Sequence, residues 1–115
     1  MKLTITLLLV AMVAALPLAA ATMDTAKFAG ATGVRLDGGA KVKVAEGQTL
    51  TGKVVKVAEL AGLGLKGAKD GEVVRVTWHG KTSFSFLHVP SGRRLDHVDL
   101  AKKYGEPIND WDYHD

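Results

Sequence analysis

The chain has no cysteine. That excludes thiol catalysis, CxxC redox chemistry and thiolate metal sites. It also excludes a lipid anchor of the bacterial lipoprotein kind, which needs a cysteine at the processing junction. No G-x-S-x-G elbow, phosphate-binding loop or dinucleotide fingerprint is present, so the familiar sequence routes to hydrolase and nucleotide chemistry are missing. Ser83, Ser85 and Ser91 lie near histidines and Asp96 without an elbow to present them, and Ser91-Gly92 reads as a turn. Glu59 and Glu72 fall on loops with no cleft between them, which speaks against paired-carboxylate glycosidase chemistry. Aromatic residues make up only 6% of the chain. Those with clear places point into the core, which leaves none to stack nucleic-acid bases. These absences together point to a protein that is not an enzyme.

The one long apolar run is at the N-terminus. Lys2 precedes Leu3 to Leu16, Pro17 ends the run, and Ala19-Ala20-Ala21 supplies an A-x-A site. This is the pattern of a secretory signal peptide cleaved after Ala21. The run is short against the ~20 residues of a membrane span, so no transmembrane segment is expected in the mature chain. Residues 1–21 therefore read as a signal peptide and residues 22–31 as a flexible arm. Residues 32–115 read as one domain with an acidic tail. The expected location is the periplasm or the exterior, where a cysteine-free domain must rely on an ordinary hydrophobic core.

Charge is unevenly placed. From Thr22 to Arg94 there are twelve Lys/Arg and six Asp/Glu; from Leu95 to Asp115 there are two and six. A basic body with an acidic tail suits an anionic partner, or equally a solvated surface that the tail partly neutralises. Lys41, Lys43, Arg75, Arg93 and Arg94 fall on strand faces or turns opposite apolar positions. They are the candidate ligand-binding residues, for a protein or an anionic envelope component. Nucleic acid does not fit the expected compartment.

The body reads as mostly β. Val34 and Leu36, then Val42 and Val44, alternate with polar residues as half-buried strands do. Thr49 to Val57 reads as a longer strand with a bend at Gly52. Ala58 to Gly71 reads as an ordered loop, with at most one helical turn, that tucks leucines over the core. Val74, Val76 and Trp78 share one face, as do Phe84, Phe86 and His88. The two apolar faces coincide only if Trp78 opposes Phe84 and Val76 opposes Phe86, leaving Gly80-Lys81-Thr82 as the hairpin loop. Arg94 to Val98 is the last strand of the meander, followed by a short helical turn capped by Asp99 and stopped by Gly105 and Pro107. About six short antiparallel strands predict a small SH3-like or other compact β-barrel or a compact sandwich, and the barrel is preferred because one core must serve every strand.

Residues Gly39 to Val57 fit G-x-x-V-x-V-x-x-G-x-x-x-x-G-x-V-x-x-V, through Gly39, Val42, Val44, Gly47, Gly52, Val54 and Val57. This resembles the KOW motif of ribosomal and transcription-elongation proteins, and the following Val-Val-Arg-Val-Thr-Trp-His-Gly also looks SH3-like. The resemblance implies an SH3-like barrel. KOW proteins bind RNA or protein inside the cell, and only the fold hint suits an exported chain.

Three of the four histidines, His79, His88 and His97, are spaced nine apart. The predicted hairpin puts His79 and His88 a strand length apart on opposite faces, so those two cannot share a metal. A two-residue Ser91-Gly92 turn sets His88 against Leu95 and His97 against Phe86, making His88 and His97 diagonal neighbours. They are then either a hydrogen-bonded, partly buried pair or a metal pair. In the tail, Asp110, Asp112 and His114 share one side if extended, a donor set suited to a divalent cation. Trp111 and Tyr113 share the other side and would dock on the core. No cofactor is expected on the leading reading; zinc or copper follows from the alternative.

Overall fold

A computed structural model describes residues 20–101 and, as backbone strand, residues 112–114. The chain runs β1 (Ala20–Asp24), α1 (Thr25–Thr32), β2 (Val34–Leu36), β3 (Lys41–Ala45), β4 (Thr49–Val54) and α2 (Val57–Leu63). It continues with β5 (Val73–Trp78), β6 (Ser83–His88), β7 (Arg93–Asp99) and β8 (Asp112–His114). Two sheets form, a three-stranded one in the order β3-β1-β8 and a five-stranded one in the order β2-β4-β5-β6-β7. Every recorded strand pair is antiparallel. The chain is therefore mostly β, as expected, and among the described residues the strands do not close into a barrel. No helix among the described residues is long and apolar enough to cross a membrane.

The segment read as a flexible arm is instead ordered structure. Ala20 to Asp24 lie beside β3, with Met23 opposite Val42 and Ala21 opposite Val44. Asp24 then caps α1 by accepting the Lys27 N–H at 3.1 Å. Gly33 ends the helix at φ +80, its N–H returning to the Ala29 carbonyl, as a left-handed C-cap does. Burial explains why so weakly periodic a stretch is helical. Phe28 is fully buried, its ring 5.2 Å from Phe84 and 6.2 Å from Phe86. One ring set against two aromatics outweighs the modest helix propensity of the segment. Phe28 also occupies space over the five-stranded sheet that a continuous meander would have to fill by curling.

Gly33 has a second reason to be glycine. Its carbonyl accepts the N–H groups of Val55 and Lys56, and a Cβ there would run into the Lys56 carbonyl oxygen. α1 and the start of α2 are thus in backbone contact. Val57 belongs to α2 rather than to β4, which ends at Val54. The 58–71 segment contains this two-turn helix because Leu60, and after it Leu65 and Ala68, are buried. The glycines at 62 and 64 lie at its C-terminal end, where they do little damage. Gly52 is a regular strand position paired with Leu36 and Val74. A side chain there would meet the Arg35 carbonyl at 2.7 Å and Val34 at 2.8 Å, so close approach of β2, not a bend, explains it.

The β5–β6 hairpin has the expected register, with Trp78 opposite Phe84, Val76 opposite Phe86 and Val74 opposite His88. Trp78 is buried and its indole N–H donates to the Lys81 carbonyl at 2.8 Å, which satisfies the one polar atom carried into the core. The β6–β7 register differs from the sequence reading. His88 opposes Arg93 and Phe86 opposes Leu95, while Phe84 opposes Val98. The one residue of β6 between these pairs, Ser85, is thus met by two of β7, Asp96 and His97, across a bulge. Asp99 accepts the Ala101 N–H at 3.0 Å, as the start of a helical turn requires; the rest of that turn lies outside the described residues.

Candidate functional site

The core lies between the two sheets and under α1, so the far face of the five-stranded sheet is open to solvent. Its side chains follow from strand parity: wherever Val34, Leu36, Val54, Val74, Val76, Phe84 and Phe86 point inward, their neighbours point out. The register lines up Thr51, Arg75, Leu87 and Arg94 in one row across β4 to β7. The adjacent row is Thr49, Thr77 and Ser85, tied together by a Thr49–Thr77 hydroxyl bond of 2.7 Å. Arg35 and Lys53 oppose each other beyond them on β2 and β4. The strands β2, β4, β5 and β6 contain no Asp or Glu, so nothing on them neutralises Arg35, Lys53 and Arg75. Arg94 pairs with Asp96 at 3.2 Å, both more than half exposed, a contact that solvent screening makes weak.

Arg75 and Arg94 lie two strands apart, roughly 10 Å at the backbone, with Leu87 between them. They flank a shallow depression of about 250 Å³ floored by Thr49, Thr77, Ser85 and Leu87. A larger hollow of about 440 Å³ lies beside α1. It is lined mainly by small residues, with Arg35 its one cation and Asp37 its one carboxylate, so the depression between Arg75 and Arg94 has the richer chemistry. The other candidate cations lie elsewhere. Lys41 and Lys43 are exposed on β3, in the other sheet. Arg93 turns back, donating from its guanidinium to the Lys66 carbonyl at 3.1 Å.

The histidines fall into two groups, and the grouping differs from the sequence reading. His88 and His97 are not neighbours. The bulge carries His97 to the outer face, where its ring lies 4.1 Å from that of His79, centroid to centroid, with the planes 31° apart. Ser85 fixes the arrangement. Its Oγ lies 2.6 Å from His79 Nε2 and accepts the His97 backbone N–H at 3.1 Å. His97 holds a left-handed backbone, φ +53, which is uncommon outside glycine although histidine is among the residues that visit it.

His88 sits in the core face, buried. Its Nε2 is 2.9 Å from Glu72 Oε1 and its Nδ1 2.6 Å from Ser91 Oγ. A carboxylate only accepts, so Nε2 carries a proton; in the neutral imidazole the Ser91 hydroxyl then donates to Nδ1. Glu72 also accepts the Lys69 N–H at 2.6 Å. That backbone bond first, and the His88 bond second, hold its carboxyl below the ordinary glutamate range. The order Ser91–His88–Glu72 is that of a hydrolytic relay with the imidazole reversed. Within the fold it ties the β6–β7 turn to the loop ahead of β5.

The tail candidates are only partly placed. β8 pairs with β1, setting Asp112 opposite Thr22 and His114 opposite Ala20; Asp110 lies outside the described residues. Among the described residues no group of three or more His, Asp or Glu has the geometry to hold a metal ion. A scan against protein-family models gives no match, and neither do searches of the curated proteins and of the solved structures.

Proposed function

We propose that this is an exported, non-enzymatic binding module that recognises an anionic envelope component through the open face of its five-stranded sheet. The observation that carries the reading is the absence of any carboxylate from β2, β4, β5 and β6, beside Arg35, Lys53 and Arg75. Cations on strands that carry no carboxylate, with hydroxyls beside them, favour phosphate, sulfate or carboxylate groups on a partner. Guanidinium suits such groups because it presents paired donors in a fixed plane. Export rests on the N-terminal leader pattern; cleavage after Ala21 leaves Thr22, Met23 and Asp24 in β1, with Met23 still in the core.

Binding of the mature chain to anionic and zwitterionic vesicles and to envelope fractions tests this, measured from about 50 mM to about 0.5 M salt. Attraction of this kind weakens steeply as the screening length shrinks. R75A and R94A each reduce it, and K41A leaves it nearly unchanged because Lys41 lies on the other sheet. Salt-independent binding, or equal loss in all three variants, would sink the proposal.

A further inference from the structure

The imidazole pair on the outer face serves no purpose in the anion reading, and its construction is specific. We propose that His79 and His97 form a two-histidine site for a borderline divalent transition metal, copper(II) above zinc(II) and nickel(II). Nitrogen–metal bonds of about 2.0–2.1 Å require two ligating rings to lie close together, and the ring centroids are 4.1 Å apart, near enough to share an ion once a nitrogen of each is turned toward it. His97 is exposed, so rotation about its side-chain torsions can bring a nitrogen to bear.

Three features organise the pair. Ser85 engages Nε2 of His79 at 2.6 Å; in the tautomer whose Nε2–H donates to Ser85, Nδ1 keeps its lone pair. This is how a ligating histidine is held, one nitrogen fixed by a hydrogen bond and the other left for the metal. Second, the ring of His97 makes no hydrogen bond to another described residue. Third, the bulge between Phe84 and Phe86 turns His97 out of the strand's alternation and onto His79, and bulges often re-aim a side chain next to a functional site. The nearby carboxylates are occupied: Asp96 pairs with Arg94, and Asp99 accepts from Thr82 and from the Ala101 N–H. No third His, Asp or Glu completes the set among the described residues. The remaining coordination positions therefore fall to water or to a donor brought by a partner. Imidazole donors suit copper, zinc and nickel, and copper binds most tightly in that series.

Titration of the full mature chain with copper(II) in a non-coordinating buffer tests this, followed by calorimetry and by electron paramagnetic resonance. Saturable binding of a single ion is expected, with a spectrum showing two coupled nitrogens. His97→Gly suits the left-handed backbone and so keeps the fold. H97G and H79Q should each weaken binding by at least about tenfold, while H88Q and H114Q leave it unchanged. The proposal is overturned by any of three results: no saturable binding below about 1 mM, unchanged affinity in H97G and H79Q, or loss in H114Q alone, which would place the metal on the tail.

Discussion

Replacing His97 by glycine and, separately, by alanine tests the geometry on which the outer-face site depends. At φ +53 an L-residue with a Cβ is roughly 1–2 kcal/mol above its relaxed state, and glycine escapes that strain. Glycine also loosens the unfolded chain, which removes about 0.4–1 kcal/mol of the gain. Both substitutions delete the ring packed on His79, and both keep the backbone N–H that donates to Ser85, so those effects cancel in the comparison. H97G should therefore be more stable than H97A by about 0.5–1 kcal/mol. In an ordinary strand the order is reversed by a similar amount, so the sign alone is diagnostic. For a domain of this size the difference is a few degrees in Tm, readable by thermal melts and by urea midpoints at constant slope. Equal stability, or a more stable H97A, would mean that the bulge does not hold His97 as described, and the contact with His79 would fall with it.

Three other substitutions probe the helix cap, the core and the partner of the buried histidine. G33A combines a strained left-handed residue with a collision against the Lys56 carbonyl; it should destabilise by about 3 kcal/mol or more in urea unfolding. F28A removes a fully buried ring set against Phe84 and Phe86 and should lose about 3–5 kcal/mol, unfolding a marginal domain at room temperature. Glu72 has a lowered folded pKa, so its contribution is complete above the unfolded value near 4.5 and disappears as pH falls through the folded one. The stability difference between wild type and E72Q should accordingly shrink in melts taken from about pH 5 downward; a constant difference would refute the pairing with Lys69 and His88.

The β5–β6 hairpin was legible because its apolar residues alternate without a break. Any slip would expose Phe84 and Phe86, so composition and register fix each other. β7 was not legible by the same rule. Leu95 and Val98 are three apart, and both face the core, opposite Phe86 and Phe84. An odd spacing between two inward residues of one strand signals an extra residue, and here it is the bulge. Treating β7 as regular paired His97 with the wrong histidine and hid the outer-face site. The α1 segment was missed for another reason. Its helical pattern is weak, and what makes it a helix is the tertiary burial of Phe28; Asp24 and Gly33, the cap and the stop, were the local signals. The cationic face was half legible. Of the five candidate cations Arg75 and Arg94 line one depression, but which cations share a surface depends on which sheet each strand joins, and pairing of β3 with β1 rather than with β4 leaves no mark in local alternation.

The partnership of β1 with β8 sets an order on assembly. Thr22 lies opposite Asp112, so the earliest and latest described stretches of chain are immediate neighbours, with β1 in the middle position of its sheet. Closing so long a loop is entropically slow and gains nothing until both ends are present. While the polypeptide is still emerging, β1 has one bare edge, and Met23 rests on a half-built layer. The three-stranded sheet is therefore the last part to mature, and cutting the chain short before Asp112 would leave the middle strand of that sheet as an open seam.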